Sequence, residues 1–180
     1  LSFLIFYGIS GEDMQGKRVS ETSVKMAQVM LPQDANPAGN VHGGVIMKLI
    51  DTAAAVVASR HSRCNAVTAS IDRLDFHSPV LVGDLLLLRA CLNLVSKTSM
   101  EIGVRVEAEN YLTGEVRHTA SAYLTFVALD KNGRPTEVAP LILDSDDEKR
   151  RHHEALTRRS TRKELRAKED KCQKDGICQL

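Results

Sequence analysis

The residues His42-Gly43-Gly44-Val45-Ile46-Met47-Lys48-Leu49-Ile50-Asp51, followed by Thr52-Ala53-Ala54-Ala55-Val56-Val57-Ala58-Ser59-Arg60-His61, decide how this chain is organised. Val45, Ile46, Leu49, Ile50, Ala53 and Val57 recur three and four apart, the spacing of one buried helix face. Outward from this helix the period changes. Upstream, alternation from Thr22 through Val24 and Met26 to Met30 predicts a strand with one face buried. Residues 32–40, with two Pro, one Gly and two Asn, cannot extend that strand and read as a loop. Downstream, Val67, Ala69 and Ile71 alternate towards Phe76, and a Leu-rich strand covers residues 85–95. Met100, Ile102, Val104, Val106 and Ala108 then alternate with Glu101, Arg105, Glu107 and Glu109, which predicts a strand with its acids in water. A last strand covers residues 117–129. One long helix against a curled antiparallel sheet is an α+β arrangement.

Of the 180 residues, 43% are apolar and 26% charged, which excludes disorder of the whole chain. A net charge of +1 argues against a dedicated nucleic-acid binder. The charge is uneven, however: residues 149–180 carry +6 and the rest −5. Ser145-Asp146-Asp147-Glu148 has the form of a capping box. Beyond it Ala155, Leu156, Leu165 and Ala167 make no sustained stripe, so residues 144–180 are expected to form a charged, basic, solvated helical tail. The apolar run over residues 1–9 is about half a bilayer span, and no stable membrane insertion is expected. Residues 1–17 read as an N-terminal extension, disordered or foreign to a natural start at Met14, ahead of a domain over residues 18–143. Cys64, Cys91, Cys172 and Cys178 make no C-x-x-C pair, so neither zinc nor a disulfide framework is expected, and a reducing compartment fits.

Two features point to chemistry. Advancing 100° per residue from Ile46, Asp51 falls at about 140°, off the core stripe and beside Gly44, Met47, Ala55 and Ala58. A solvated helix face would carry Lys and Glu. This one is small and apolar, as expected of a face packed on another surface, with a desolvated carboxylate suited to act as base or nucleophile. An ordinary surface acid is the plainer reading of Asp51 alone. The second feature is the start of the helix, where unpaired N–H groups attract a developing oxyanion and Gly43-Gly44 lets a ligand carbonyl approach the backbone. Two glycines can equally serve tight packing. His61, His77 and His118 have no metal-ligand spacing.

Asp34-Ala35-Asn36-Pro37-Ala38-Gly39-Asn40-Val41-His42-Gly43-Gly44 and onward to Asp51 resembles the hotdog-fold acyl-CoA thioesterases, particularly the cytosolic long-chain acyl-CoA hydrolase group. Phe76-His77-Ser78-Pro79-Val80, Gly83-Asp84 and the segment from Tyr123 to Asp130 are similar to that family too. The resemblance implies a hotdog fold, a long helix wrapped by the sheet, and hydrolysis of acyl-CoA to fatty acid and CoA without a cofactor. It makes Asp51 the catalytic carboxylate and Asn36 the amide that positions water. Gly43 becomes the N–H donor to the thioester carbonyl, with Gly44 beside it in the substrate-binding backbone. His42 orients the thioester or leaving thiolate, and Thr68 is a hydroxyl that helps hold the water. It also implies a cytoplasmic protein that pairs with itself as a dimer or a higher multiple, up to a hexamer. Basic groups near a turn, Arg63 or Lys97, are the candidates to meet the nucleotide phosphates, and the sequence does not choose between them. The rivals are a non-catalytic acyl-CoA-binding module or sensor, a hotdog hydratase, and a tail that binds membrane or nucleic acid.

Overall fold

The computed structural model describes residues 14–174. Its main body is a five-stranded antiparallel sheet in the order β2-β4-β5-β6-β3, with β2 at Val24–Val29, β3 at Asn65–Phe76, β4 at Leu85–Val95, β5 at Ser99–Asn110 and β6 at Glu115–Leu129. Helix α2, Gly43–Ser62, lies against one face of this sheet. A short parallel pair, β1 (Lys17–Arg18) with β7 (Leu141–Ile142), and a single helical turn α1 (Val19–Thr22) close one corner. The C-terminal helix α3 runs over Asp146–Lys174.

The core follows from period two meeting period 3.6. Leu86, Leu88, Ala90 and Leu92 of β4, Ile102, Val104 and Val106 of β5, and Ala120, Ala122 and Leu124 of β6 are all buried on the face that meets α2. Ile46, Leu49, Ile50, Ala53, Val57 and Ala58 supply the helix side. Each fully buried branched side chain contributes about 1.5–3 kcal/mol of transfer free energy. Alanines at 120, 122 and 128 give the helix room to sit close to β6. Helix α2 stops where Arg63 takes a left-handed conformation, φ 57°, and returns its N–H to Ser59 O at 2.9 Å.

Several expectations need correction. Thr22 belongs to α1, not to a strand: the chain makes one helical turn, with Ser23 N–H bonded to Val19 O, before β2 begins. Residues 1–13 of the expected N-terminal extension lie outside the described residues, while Lys17 and Arg18 pair with β7. Ala58 does not share the open face with Asp51. The buried arc of α2 is wider than the six-residue stripe and takes in Ala54, Ala58 and His61. Cys64 and Cys91 are free thiols, and Cys172 is disulfide-bonded.

The largest correction concerns the tail. Helix α3 docks across the sheet face opposite α2. Ala155 is fully buried, His152 Nδ1 donates to Asn93 O at 3.0 Å, and Arg158 Nη2 pairs with Glu101 Oε1 at 2.6 Å while stacking 3.8 Å over the Tyr123 ring. Arg162 reaches Asp72 on β3. Glu101, expected in water, is 2% exposed beneath this helix.

Candidate active site

The loop before α2 is built by Asn36. Its Oδ1 accepts from Ala38 N–H at 2.9 Å and Asn40 N–H at 3.3 Å, and its backbone N–H bonds Asn40 O at 2.7 Å. With Oδ1 committed to the turn, the amide has only its Nδ2 donors to offer. Such a group can hold a water by its oxygen but cannot take a proton from it. Asp34 ties the loop to the helix start, because His42 N–H donates to Asp34 O at 2.8 Å.

At the start of α2, His42 is the N-cap. Its Nδ1 accepts from Gly44 N–H at 2.9 Å, which places the proton of the neutral ring on Nε2. Gly44 therefore has no N–H left for a substrate. Gly43 does: its N–H finds no acceptor among the described residues. The ring of Phe76 stands 3.6 Å from where a Cβ on Gly43 would be, so this backbone donor sits against an apolar wall. Asn36, Gly43, Phe76, Ser78 and Pro79 line one hollow.

Asp51 lies two turns further along α2, half-buried, and accepts the Thr68 Oγ1 hydrogen at 2.6 Å. Thr68 comes from β3, where a register shift between Thr68 and Ser70 interrupts the pairing with β6. A bulge of this kind re-aims side chains on an edge strand. Asp51 opens into a second hollow, shared with Ala55, Val56, Ser59 and Arg63. The structure thus brings Asp51 together with Thr68, and Asn36 together with Gly43, but puts the two pairs in different hollows of one chain.

Two residues that the resemblance takes in without a role, Asp84 and Phe76, turn out to position the site. Asp84 is buried; its Oδ2 accepts from Leu81 N–H at 2.9 Å and from Arg117 Nη2 at 2.7 Å. This pair fixes the turn at residues 81–84, entered through Gly83 at φ +93°, a conformation that favours glycine. That turn in turn supports Val80, whose carbonyl takes the Val41 N–H. Phe76 is the other. Its aromatic character was visible, but nothing local places it over a glycine 33 positions earlier.

A family profile described as Thioesterase superfamily matches residues 38–114, which take in Gly43, Asp51 and Thr68 but not Asn36. A Bacillus subtilis protein named as an uncharacterized acyl-CoA thioester hydrolase is 37% identical over 143 residues, covering 79% of this chain and 83% of the relative. The chain belongs to the hotdog-fold acyl-CoA thioester hydrolases. Within that family, the rat cytosolic acyl coenzyme A thioester hydrolase is 37% identical over 142 residues, and the match spans 78% of this chain but only 37% of the rat protein. Among solved family structures, an apo-hexameric acyl-CoA thioesterase superposes with a TM-score of 0.83 at 38% identity, covering 86% of this chain and 99% of its own. The Staphylococcus aureus acyl-CoA hydrolase, solved with butyryl coenzyme A, coenzyme A and coenzyme A disulfide, gives 0.82 at 32% identity over 90% of this chain and 99% of its own. Alanine variants of that hydrolase have been solved at an asparagine, at an aspartate 15 residues later and at a threonine 17 residues beyond the aspartate.

Proposed function

We propose that the chain hydrolyses fatty acyl-CoA to free fatty acid and CoA. Asp51 acts as general base or nucleophile, Asn36 positions the water, Thr68 holds the carboxylate, and the Gly43 N–H polarises the thioester carbonyl. The observation that carries this reading is the Asp51–Thr68 hydrogen bond at 2.6 Å, facing a hollow, on a helix whose first residue keeps its N–H unspent. In support, Asn36, Asp51 and Thr68 stand at the same intervals as the three residues varied in the Staphylococcus aureus enzyme. In the base route, Asp51 takes a proton from water as the oxygen attacks the thioester carbon. The carbonyl oxygen gains charge against the Gly43 N–H, the C–S bond breaks, and the thiolate leaves with the proton from Asp51.

One helix cannot do this alone. Gly43 and Asp51 are eight residues apart, about 12 Å along the axis, whereas both must reach a single thioester at about 3 Å. Two antiparallel α2 helices in a symmetric dimer bring Gly43 of one chain to Asp51 of the other, with Met47 at the midpoint. Met47 is 41% exposed, and so is Val67 on β3, which ends the sheet; together they mark the surfaces a partner would cover. The dimer, multiplied up to a hexamer, is part of the proposal, as is a cytoplasmic location. Among the described residues no helix is long and apolar enough to cross a membrane.

The test is thiol release from a series running from acetyl-CoA to stearoyl-CoA. Turnover of part of the series is expected. CoA binding by calorimetry with no thiol release from any member would instead favour the non-catalytic acyl-CoA-binding module.

A further inference from the structure

We propose that the last stretch of α3, residues 163–174, is a strap that lies on a second copy of this chain, across the open edge of β3. This rests on the two-chain site proposed above and adds a surface to it. The path of the helix carries the argument. His152 sits over β4 through its bond to Asn93 O, Arg158 over β5 and β6 through Glu101 and the Tyr123 ring, and Arg162 over β3 through Asp72. The strands β4-β5-β6-β3 are thus crossed between residues 152 and 162. That length of helix advances about 15 Å and three strand spacings amount to about 14 Å, so α3 runs nearly square to the strands. The sheet ends at β3, but the helix continues to Lys174. This overhang is about 18 Å long, the width of nearly four more strands.

The overhang keeps the character of a docked face. Leu165 follows Arg158, and Glu169 follows Arg162, by two helical turns and on the same side. Yet Leu165 is 53% exposed, because the sheet that Arg158 and Arg162 hold has ended. Arg162 is the last residue of α3 with an ion pair to the sheet among the described residues. A lone helical segment of this length is marginal in water.

What covers it is set by the edge beneath. β3 pairs with β6 on one side, and its other side is open among the described residues. The exposed Val67 faces the α3 side of the sheet, since its pairing partner Val127 alternates with the core residues Phe126 and Ala128. A two-fold dimer that brings two α2 helices together sets the two β3 edges side by side, and the first strand past Arg162 is then the partner's own β3. Leu165 stands about 4.5 Å beyond Arg162, one strand spacing further out, over that strand. A partner of another sequence would have to present a sheet at this same level, whereas a second copy presents one by symmetry. Because β3 also carries Thr68, the strap steadies the strand that orients Asp51.

The test is the dissociation constant of the dimer, from sedimentation velocity across a dilution series, read beside specific activity at each concentration. Leu165→Asp, and a chain ending at Arg162, should each raise the constant about tenfold or more, the scale of losing one leucine-sized apolar contact. Specific activity should match the wild type where the variants are dimeric, and should fall at a correspondingly higher concentration on dilution. Leu156→Asp is the control. Leu156 is 43% exposed but is turned about 160° from Arg158, and its variant should keep the wild-type constant. Unchanged dissociation in Leu165→Asp and in the shortened chain, or an equal rise in Leu156→Asp, would overturn the strap and leave the two-chain site standing. A wild type that is monomeric and fully active at every concentration would overturn the two-chain site, and the strap with it.

Discussion

At Asp51 one carboxylate oxygen already carries the Thr68 hydrogen at 2.6 Å, so the carboxylate has a fixed orientation before any substrate arrives. Replacing Asp51 by Asn keeps the shape and removes the acceptor of the water's proton. Asp51→Asn is expected to lower kcat by roughly 10²–10⁴ with an unchanged circular dichroism spectrum. Thiol release within a few-fold of wild type would remove Asp51 from the mechanism. Asp51 could be picked out in the sequence because an isolated carboxylate stood on a small, apolar helix face. The fate of each hydrogen bond at the helix start could not. Gly43 and Gly44 look alike as letters, and only the His42 cap, which occupies one N–H and spares the other, tells them apart.

Helix α3 shows what periodicity misses. It docks mainly by polar contacts: His152 on a backbone carbonyl, Arg158 on Glu101, Arg162 on Asp72, with Ala155 as its buried apolar contact. A helix held this way leaves no apolar stripe to read, so it looks solvated in sequence. By the same physics, Arg158 is not a dispensable surface charge. Arg158→Ala would leave the Glu101 carboxylate, 2% exposed, without its cation. It should cost about 3 kcal/mol in urea unfolding, whereas removing the exposed Arg150 should leave the midpoint nearly unchanged. A second clamp has a pH signature. His61 is fully buried, with Nε2 donating to Ala139 O at 2.8 Å, and burial holds its imidazole below the ordinary value despite that bond. Below about pH 6.5 the unfolded chain binds a proton there that the native chain does not. The stability due to neutral His61 is thus present above that pH and lost as pH falls towards the lower folded value. Denaturation midpoints should fall between about pH 7 and pH 5 more steeply in the wild type than in His61→Gln.

For the assembled molecule, the distance between Gly43 and Asp51 along one helix becomes a statement about stoichiometry. If Asn36 and Asp51 of one site come from different chains, Asn36→Ala and Asp51→Asn homodimers are both inactive, since every site lacks one partner. Refolded together in equal amounts, about half the dimers are mixed, each with one site complete and one lacking both residues. Recovery should approach roughly a quarter of wild-type activity, provided the sites do not couple. A mixture as inactive as either parent would mean that each chain completes its own site. The separation of Asn36 and Asp51 into two hollows favours recovery. That separation was invisible in a motif that runs continuously from Asn36 to Asp51.

The Glu101–Arg158 pair also sets a timetable during synthesis. The two residues are 57 positions apart, so at 5–20 residues per second roughly 3–11 s pass between them on the ribosome. The fifth strand ends at Leu129, so for the last 29 of those positions, roughly 1.5–6 s, all five strands have been translated while Arg158 has not. For those seconds the nascent sheet keeps Glu101 hydrated and Tyr123 bare. The acidic side chain that later needs a partner meanwhile guards an uncovered surface against sticking to its neighbours.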